Sequence, residues 1–267
     1  MKPIPKIAVV GSYTIDYLES GEKVIGGIFY STYGIWKAGG KAYAVTIIPN
    51  YIEINNPFVD NTIILDDNDV VKFRIVKVNN KRNIYLLNKV KKVLIDLKYL
   101  KEFDGILINT MYNEFLIENI FLVNCPIAVD IQGFVREVNN DNSLITNNYD
   151  KVKENMRKAN QNLVVHGNED ELPSNVIYEM MYKYGFKEVI RSYGERGLEV
   201  FTRYYSKYFD VNKIGVHNIG NGDVLLGSYF TYRLMGYDVL SSIKMAINLV
   251  EDFSIHGPPV VLRISQY

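Results

Sequence analysis

The segment HNIGNGDVLLGSYF, His217 to Phe230, sets a glycine turn, Gly220, Asn221 and Gly222, ahead of a carboxylate, Asp223, and an apolar run of helical spacing. Backbone N–H groups at a helix start have no acceptor within the helix, and together with the helix dipole they make an anion site. The carboxylate in the same turn has two readings. It can complement the dipole, as acidic residues of a first turn commonly do. Alternatively, it can act as a general base beside a phosphoryl group held by the turn. Phosphoryl transfer needs both parts, fixed donors for the developing charge and a positioned acceptor for the hydroxyl proton. The segment alone leaves both readings open.

Other phosphate loops do not fit. In GIWKAGGKA, Gly34 to Ala42, Gly40 stands where a Walker loop needs lysine, and Lys41 where it needs a hydroxyl. VVGSYTID has one glycine after the first apolar run, and GNGDVL has Leu225 at the third glycine position, so neither is a dinucleotide fingerprint. His166, His217 and His256 lack zinc-site spacing, and Cys125, the single cysteine, offers neither a disulfide nor a metal knuckle.

The elements that must position Asp223 read as an alternation. KIAVVGS (Lys6 to Ser12), GILINT (Gly105 to Thr110), PIAVDIQG (Pro126 to Gly133), NLVVHGN (Asn162 to Asn168) and EVIRSYG (Glu188 to Gly194) are apolar runs ending in polar or glycine residues. Such runs suit strands of a parallel sheet buried on both faces. Helical segments are predicted at Tyr149 to Asn160 and Asn175 to Tyr184, and two more from Asp223 to Phe253, broken at MGYD. Phe29, Tyr30, Tyr33 and Trp36 are expected on a helix as core aromatics. Two stretches depart from this rhythm. Asp69 to Leu87 alternates apolar and polar residues around NNK, an antiparallel hairpin pattern, and Tyr13 to Phe29 reads as extended with a turn at Gly21. The expected architecture is a single α/β domain, three layers α/β/α around a mostly parallel sheet, with a small β lid from these two stretches.

Composition narrows the function classes. Across 267 residues, 30 Lys and Arg balance 30 Asp and Glu, so no overall basic field gathers nucleic acid or an acidic membrane surface. No apolar run reaches the ~18 residues of a membrane span. The N-terminal apolar stretch, broken at Gly11 and Asp16, is too short for a signal peptide. A lone cysteine fits a reducing, cytoplasmic setting.

Taken together, these motifs resemble the ribokinase-like, or PfkB, family of carbohydrate and nucleoside kinases. HNIGNGD is similar to the family's C-terminal signature D-T-x-G-A-G-D, keeping Gly220, Gly222 and Asp223, with His217 and Asn218 where Asp-Thr is usual. IGGIFYSTYGIWKAGG resembles the N-terminal signature through Gly26 and Gly27, with Ser31 in place of an asparagine. Asp16 matches the family's acidic residue for substrate hydroxyls. VDIQGFVR resembles D-x-N-x-R, with Gln132 for asparagine and the arginine displaced to Arg136. HGNEDE fits N-x-x-E through Asn168 and Glu171, and RSYGERG resembles [TS]-x-G-x-x-G through Ser192, Gly194 and Gly197.

The resemblance implies ATP-dependent, Mg²⁺-requiring phosphorylation of a hydroxyl on a small sugar or polyol, with an inositol-kinase-like lean from VDIQGFVR. A nucleoside acceptor, or a non-catalytic nucleotide- or sugar-binding role, is the alternative. It assigns Asp223 as base and Gly220, Asn221 and Gly222 as anion hole. Asp16, Gly26, Gly27, Ser31, Gln132 and Arg136 would contact substrate, and Asn168, Glu171, Ser192, Gly194 and Gly197 the nucleotide, with Glu171 reaching the metal through water. A homodimer through the β lid is a further implication.

Overall fold

The computed structural model describes residues 3–66, 69–78, 81–139, 143–217 and 219–260. The chain enters through β1 (Lys6–Val10), leaves the core as the hairpin β2 (Tyr13–Leu18) and β3 (Lys23–Gly27), and returns through α1 (Ile28–Lys37), β4 (Lys41–Ile47) and β5 (Val59–Asp66). A second hairpin follows, β6 (Lys72–Val78) and β7 (Lys81–Leu86). The short β8 (Val93–Leu94) and β10 (Phe115–Leu116) pair with each other on either side of β9 (Gly105–Ile108). Next come β11 (Ile127–Asp130), the one-turn α2 (Gln132–Val135), the hairpin β12 (Arg136–Val138) and β13 (Ile145–Asn147), and α3 (Asp150–Asn155). The last part is β14 (Asn162–Asn168), α4 (Ser174–Tyr182), β15 (Glu188–Ser192), β16 (Leu198–Thr202), β17 (Ser206–Phe209), α5 (Asn221–Leu234) and α6 (Val239–His256).

The central sheet runs β17-β16-β15-β14-β11-β9-β1-β4-β5, parallel except for β16 and β17. Side chains alternate between its faces, which is why the strands read as unbroken apolar runs. Ile7 and Val9 of β1 join the core under α1, α5 and α6, while Ala8 and Val10 join the opposite core with α3 and α4. The strand order reverses at β1, so the crevice between the ends of β1 and β9 is the place where open α/β sheets bind ligands.

The lid is a separate four-stranded sheet, β3-β2-β6-β7, as the two anomalous stretches predicted. Its apolar underside, Val71, Phe73 and Leu86, packs on Met111. Along the β7 edge the Leu86 N–H donates to the Ser143 carbonyl at 2.9 Å, and Tyr85 bridges Leu144, so the hairpin after Arg136 continues the lid toward the core.

Several expectations need correction. The stretch Tyr13 to Phe29 stops being extended at Gly27, whose φ of 66° turns the chain into α1, so Phe29 lies in the helix. The segment Tyr149 to Asn160 is helical only over Asp150–Asn155, because the chain turns extended at Met156 and the Arg157 carbonyl is taken by the Asn162 side chain at 3.0 Å. Trp36 is 47% exposed on the flank of α1, resting on Phe58, while Phe29, Tyr30 and Tyr33 are core residues as expected. Strands β4, β5, β16 and β17 lie outside the runs expected as strands. Among the described residues no helix is long and apolar enough to cross a membrane.

Candidate active site

Close helix packing positions the glycine turn. Helices α1 and α5 meet glycine to backbone: a Cβ on Gly34 would lie 2.6 Å from the Val224 carbonyl oxygen, and one on Gly227 2.5 Å from that of Ser31. This approach sets the first turn of α5 beside Ser31 and over the end of β9. Gly220 caps the helix with φ 84°, a left-handed conformation that favours glycine, and a Cβ there would run into the Tyr30 ring.

Asp223 does not cap its helix. Its Oδ1 accepts from Asn109 Nδ2 at 2.6 Å and from Gln132 Nε2 at 3.4 Å. Asn109 is fully buried where β9 ends, and its Nδ2 also donates to Ser31 Oγ at 2.6 Å, while its Oδ1 accepts from Gln132 Nε2 at 3.0 Å. Gln132 Oε1 in turn accepts from Arg136 Nη2 at 2.6 Å, and Arg136 Nη1 donates to the Met111 carbonyl at 3.0 Å. A continuous relay therefore runs from the foot of the lid to Asp223. Burial, and then the charge of Asp130, push Asp223 up to about 7, against the lowering hydrogen bond from Asn109.

A second pair lies beneath the glycine turn. His166 Nδ1 and Asp130 Oδ2 are 2.8 Å apart, both buried, and a Cβ on Gly222 would lie 2.7 Å from the His166 ring. Burial works against charge on His166, but the hydrogen bond and charge of Asp130 outweigh it and raise the imidazole. His166 Nε2 has no hydrogen-bond partner among the described residues.

Two adjoining cavities meet at the turn. One, of about 390 Å³, is walled by Leu198, Val211, Ile214, Leu225, Ile247 and Val250, with Ser192, Gly194 and Gly197 at its rim. The other, of about 620 Å³, lies under the lid and is lined by charged and amide groups, including Asp130, Gln132, Arg136, Asn168, Glu171 and Asp223. The structure thus brings Gly220, Asn221, Gly222, Asp223, Gln132, Arg136, Asn168, Glu171, Ser192, Gly194 and Gly197 to one cleft.

The remaining substrate candidates, Asp16, Gly26, Gly27 and Ser31, line neither cavity. Asp16 is 5% exposed, with no partner for its Oδ1 among the described residues, and burial pushes it up to about 6 against the Thr14 hydrogen bond and the charges of Arg136 and Arg82. Gly26 packs on Asp16, since a Cβ there would lie 2.6 Å from Asp16 Oδ2. Gly27 is needed for its backbone conformation and its approach to the Ser12 carbonyl. Ser31 is fully buried and serves Asn109. His217 is exposed and rests against Gly257, while Asn218 lies outside the described residues.

Sequence reasoning missed Asn109, and it set His166 aside as an ordinary histidine. The polar N-T after GILI was the available signal, because a strand end at the reversal of strand order faces the crevice. Glu171 Oε2 accepts from the Asn168 N–H at 3.0 Å, and burial together with the Asp130 charge raises its carboxyl. Among the described residues no group of three or more His, Cys, Asp or Glu side chains could hold a metal. Mg²⁺ typically keeps its waters and takes one or two carboxylates plus phosphates, so two buried, mutually repelling carboxylates fit a hydrated Mg²⁺ arriving with its phosphates.

No family model matches this sequence, and no curated protein matches it. Solved structures do match. A pyrophosphate-dependent kinase in the ribokinase family, complexed with a pyrophosphate analog and myo-inositol, superposes with TM-score 0.76 at 16% identity, covering 95% of this chain and 96% of that one. A Methanocaldococcus jannaschii nucleoside kinase, an archaeal member of the ribokinase family, gives 0.65 at 15% identity over 94% and 92%. Arabidopsis thaliana ribokinase complexed with ribose and ATP gives 0.64 at 12% identity over 93% and 92%. The chain therefore has the ribokinase-like α/β fold over nearly its whole length, and these structural neighbours are kinases.

Proposed function

We propose that this protein is an ATP-dependent kinase that phosphorylates a hydroxyl of a small sugar or polyol. The observation that carries this reading is the placement of Asp223. It sits in the first turn of α5, where the helix N–H groups are open, held by Asn109 and Gln132 instead of capping its own helix, at the junction of an apolar and a polar cavity. The polar cavity takes the acceptor, and Asp223 accepts its hydroxyl proton as the oxygen attacks the terminal phosphorus. The N–H groups of Asn221 and Gly222 receive the phosphoryl oxygens. Asp16, buried outside the cavity lining and with no partner for its Oδ1 among the described residues, is the proposed partner of another acceptor hydroxyl, and the lid covers the reaction from water.

The apolar cavity favours a nucleotide donor, since pyrophosphate has no apolar part to bury against Ile214, Ile247 and Val250. Mg²⁺ would be held through water by Glu171 with the phosphates, and would neutralise charge on the transferred group. The acceptor is a polyol or sugar, with a nucleoside as the alternative, because the lid-side cavity is lined by amides and charges. A homodimer joined through the lid would use the β3 edge, as residues 143 and 144 lie along β7.

The test is release of ADP from Mg²⁺ATP, and of phosphate from pyrophosphate, against myo-inositol, pentoses, hexoses, 2-keto-3-deoxygluconate and nucleosides. Turnover with ATP and one polyol or sugar is expected. Binding of ATP without turnover across the whole panel would reverse the assignment in favour of a non-catalytic binding protein.

A further inference from the structure

The transferred group must pass from the apolar cavity to the polar one, so residues lining both cavities mark its route. Five do: Arg82, Asn168, Ser192, Asn221 and Gly222. Four of them come from strand ends of the core or from the start of α5. Arg82 alone comes from the lid, on β7, and it is the one charged residue of the set.

The electrostatics of the route call for a cation. Asp130, Glu169, Asp170, Glu171 and Asp223 line the receiving cavity, and a phosphoryl group entering it meets that negative field. Lys213 reaches only the apolar cavity and Arg136 only the polar one. Arg82 stands between them, repelled by Arg136 and attracted by Asp16 on the acceptor side. An oxyanion between the two guanidinium groups would relieve their repulsion, and the planar guanidinium fork suits phosphate oxygens.

We propose that Arg82 binds the terminal phosphoryl group from the lid side and stabilises it during transfer. The inference rests on the kinase reading above. The bond from the terminal phosphorus to the bridging oxygen breaks, leaving its electron pair on ADP. A new bond forms to the acceptor oxygen, whose proton goes to Asp223. Arg82 exchanges no proton and supplies charge and two N–H donors. Because it rides on β7, the donor phosphate and the closed lid favour each other.

Two measurements test this on the full chain. Binding of inorganic pyrophosphate by titration calorimetry should weaken by about tenfold or more in Arg82→Ala, with Arg82→Lys intermediate, because a charge-assisted contact is lost. Turnover of Mg²⁺ATP should fall by about a hundredfold or more in Arg82→Ala, with part of the rate restored by added guanidinium ion. Unchanged pyrophosphate affinity in Arg82→Ala, with thermal stability equal to the parent, overturns the proposal. If the parent turns over no acceptor yet binds pyrophosphate through Arg82, the phosphate site stands and the kinase reading falls.

Discussion

The two halves of the cleft are built on different principles. The half proposed for the donor is walled mostly by aliphatic side chains, Val211, Ile214, Leu225, Ile247 and Val250, with Arg82, Glu195 and Lys213 among its polar lining and Gly194 and Gly197 from the turn between β15 and β16. Most of its wall offers shape and apolar area, and its glycines, Gly194 at φ 62° and Gly197 at φ 111°, set backbone conformation. The half proposed for the acceptor is a relay of named hydrogen bonds, Arg136 to Gln132 to Asn109 to Asp223, with Asp130 and His166 beneath it. The first half tolerates change in proportion to lost area, whereas in the second a single missing partner leaves a buried polar group unsatisfied.

Substitutions can break this contrast. The largest effect belongs to Asp223→Asn, which keeps shape and loses the proposed base. Its kcat should fall by about a hundredfold or more with little change in KM for ATP, read from steady-state kinetics. The same variant should be more stable at pH 8. A carboxyl raised to about 7 in the folded chain costs stability as pH climbs from its unfolded value through 7, and nothing below that unfolded value. Thermal unfolding at pH 8 and at pH 4 should show a gain at the higher pH only.

Asn109→Ala comes next, with a loss of about tenfold in kcat/KM from one charge-assisted hydrogen bond. It also carries a sign. The parent's kcat/KM should rise with pH through about 7 as Asp223 ionises, and removal of Asn109, whose hydrogen bond lowers that carboxyl, should move the midpoint upward. A midpoint that stays fixed would show that Asn109 only fills space. The smallest effect is expected on the donor side. Ile247→Trp fills the apolar pocket and should raise KM for ATP by about tenfold or less while leaving kcat nearly intact. A fall in kcat instead would mean that the two halves act as one unit.

Legibility followed the same division. That Ser192, Gly194 and Gly197 line a cavity was readable because a glycine turn between strands is a local pattern. Asp223 was readable as a candidate but undecided, since a first-turn carboxylate has the same sequence whether it caps or not. In the structure its Oδ1 accepts from Asn109 and Gln132, a placement that supports the proposed base. Gly26, Gly27 and Ser31, expected at the substrate, pack within the chain against Asp16, Ser12 and Asn109, contacts that local spacing does not reveal. The displaced Arg136 has a structural account: it opens the β12–β13 hairpin that braces the lid, and still reaches Gln132.

By itself the sequence determined the alternation of buried strands and helices, the extra β lid and the glycine turns at strand ends. Each of these follows from steric and burial constraints acting within a few residues. Only the tertiary structure decided that Asn109, 114 residues before Asp223, is its hydrogen-bond partner, and that His166 lies under Gly222. Those contacts depend on where the strand order reverses and on how closely α1 approaches α5. Both are set by packing between distant segments, which local residue spacing does not encode.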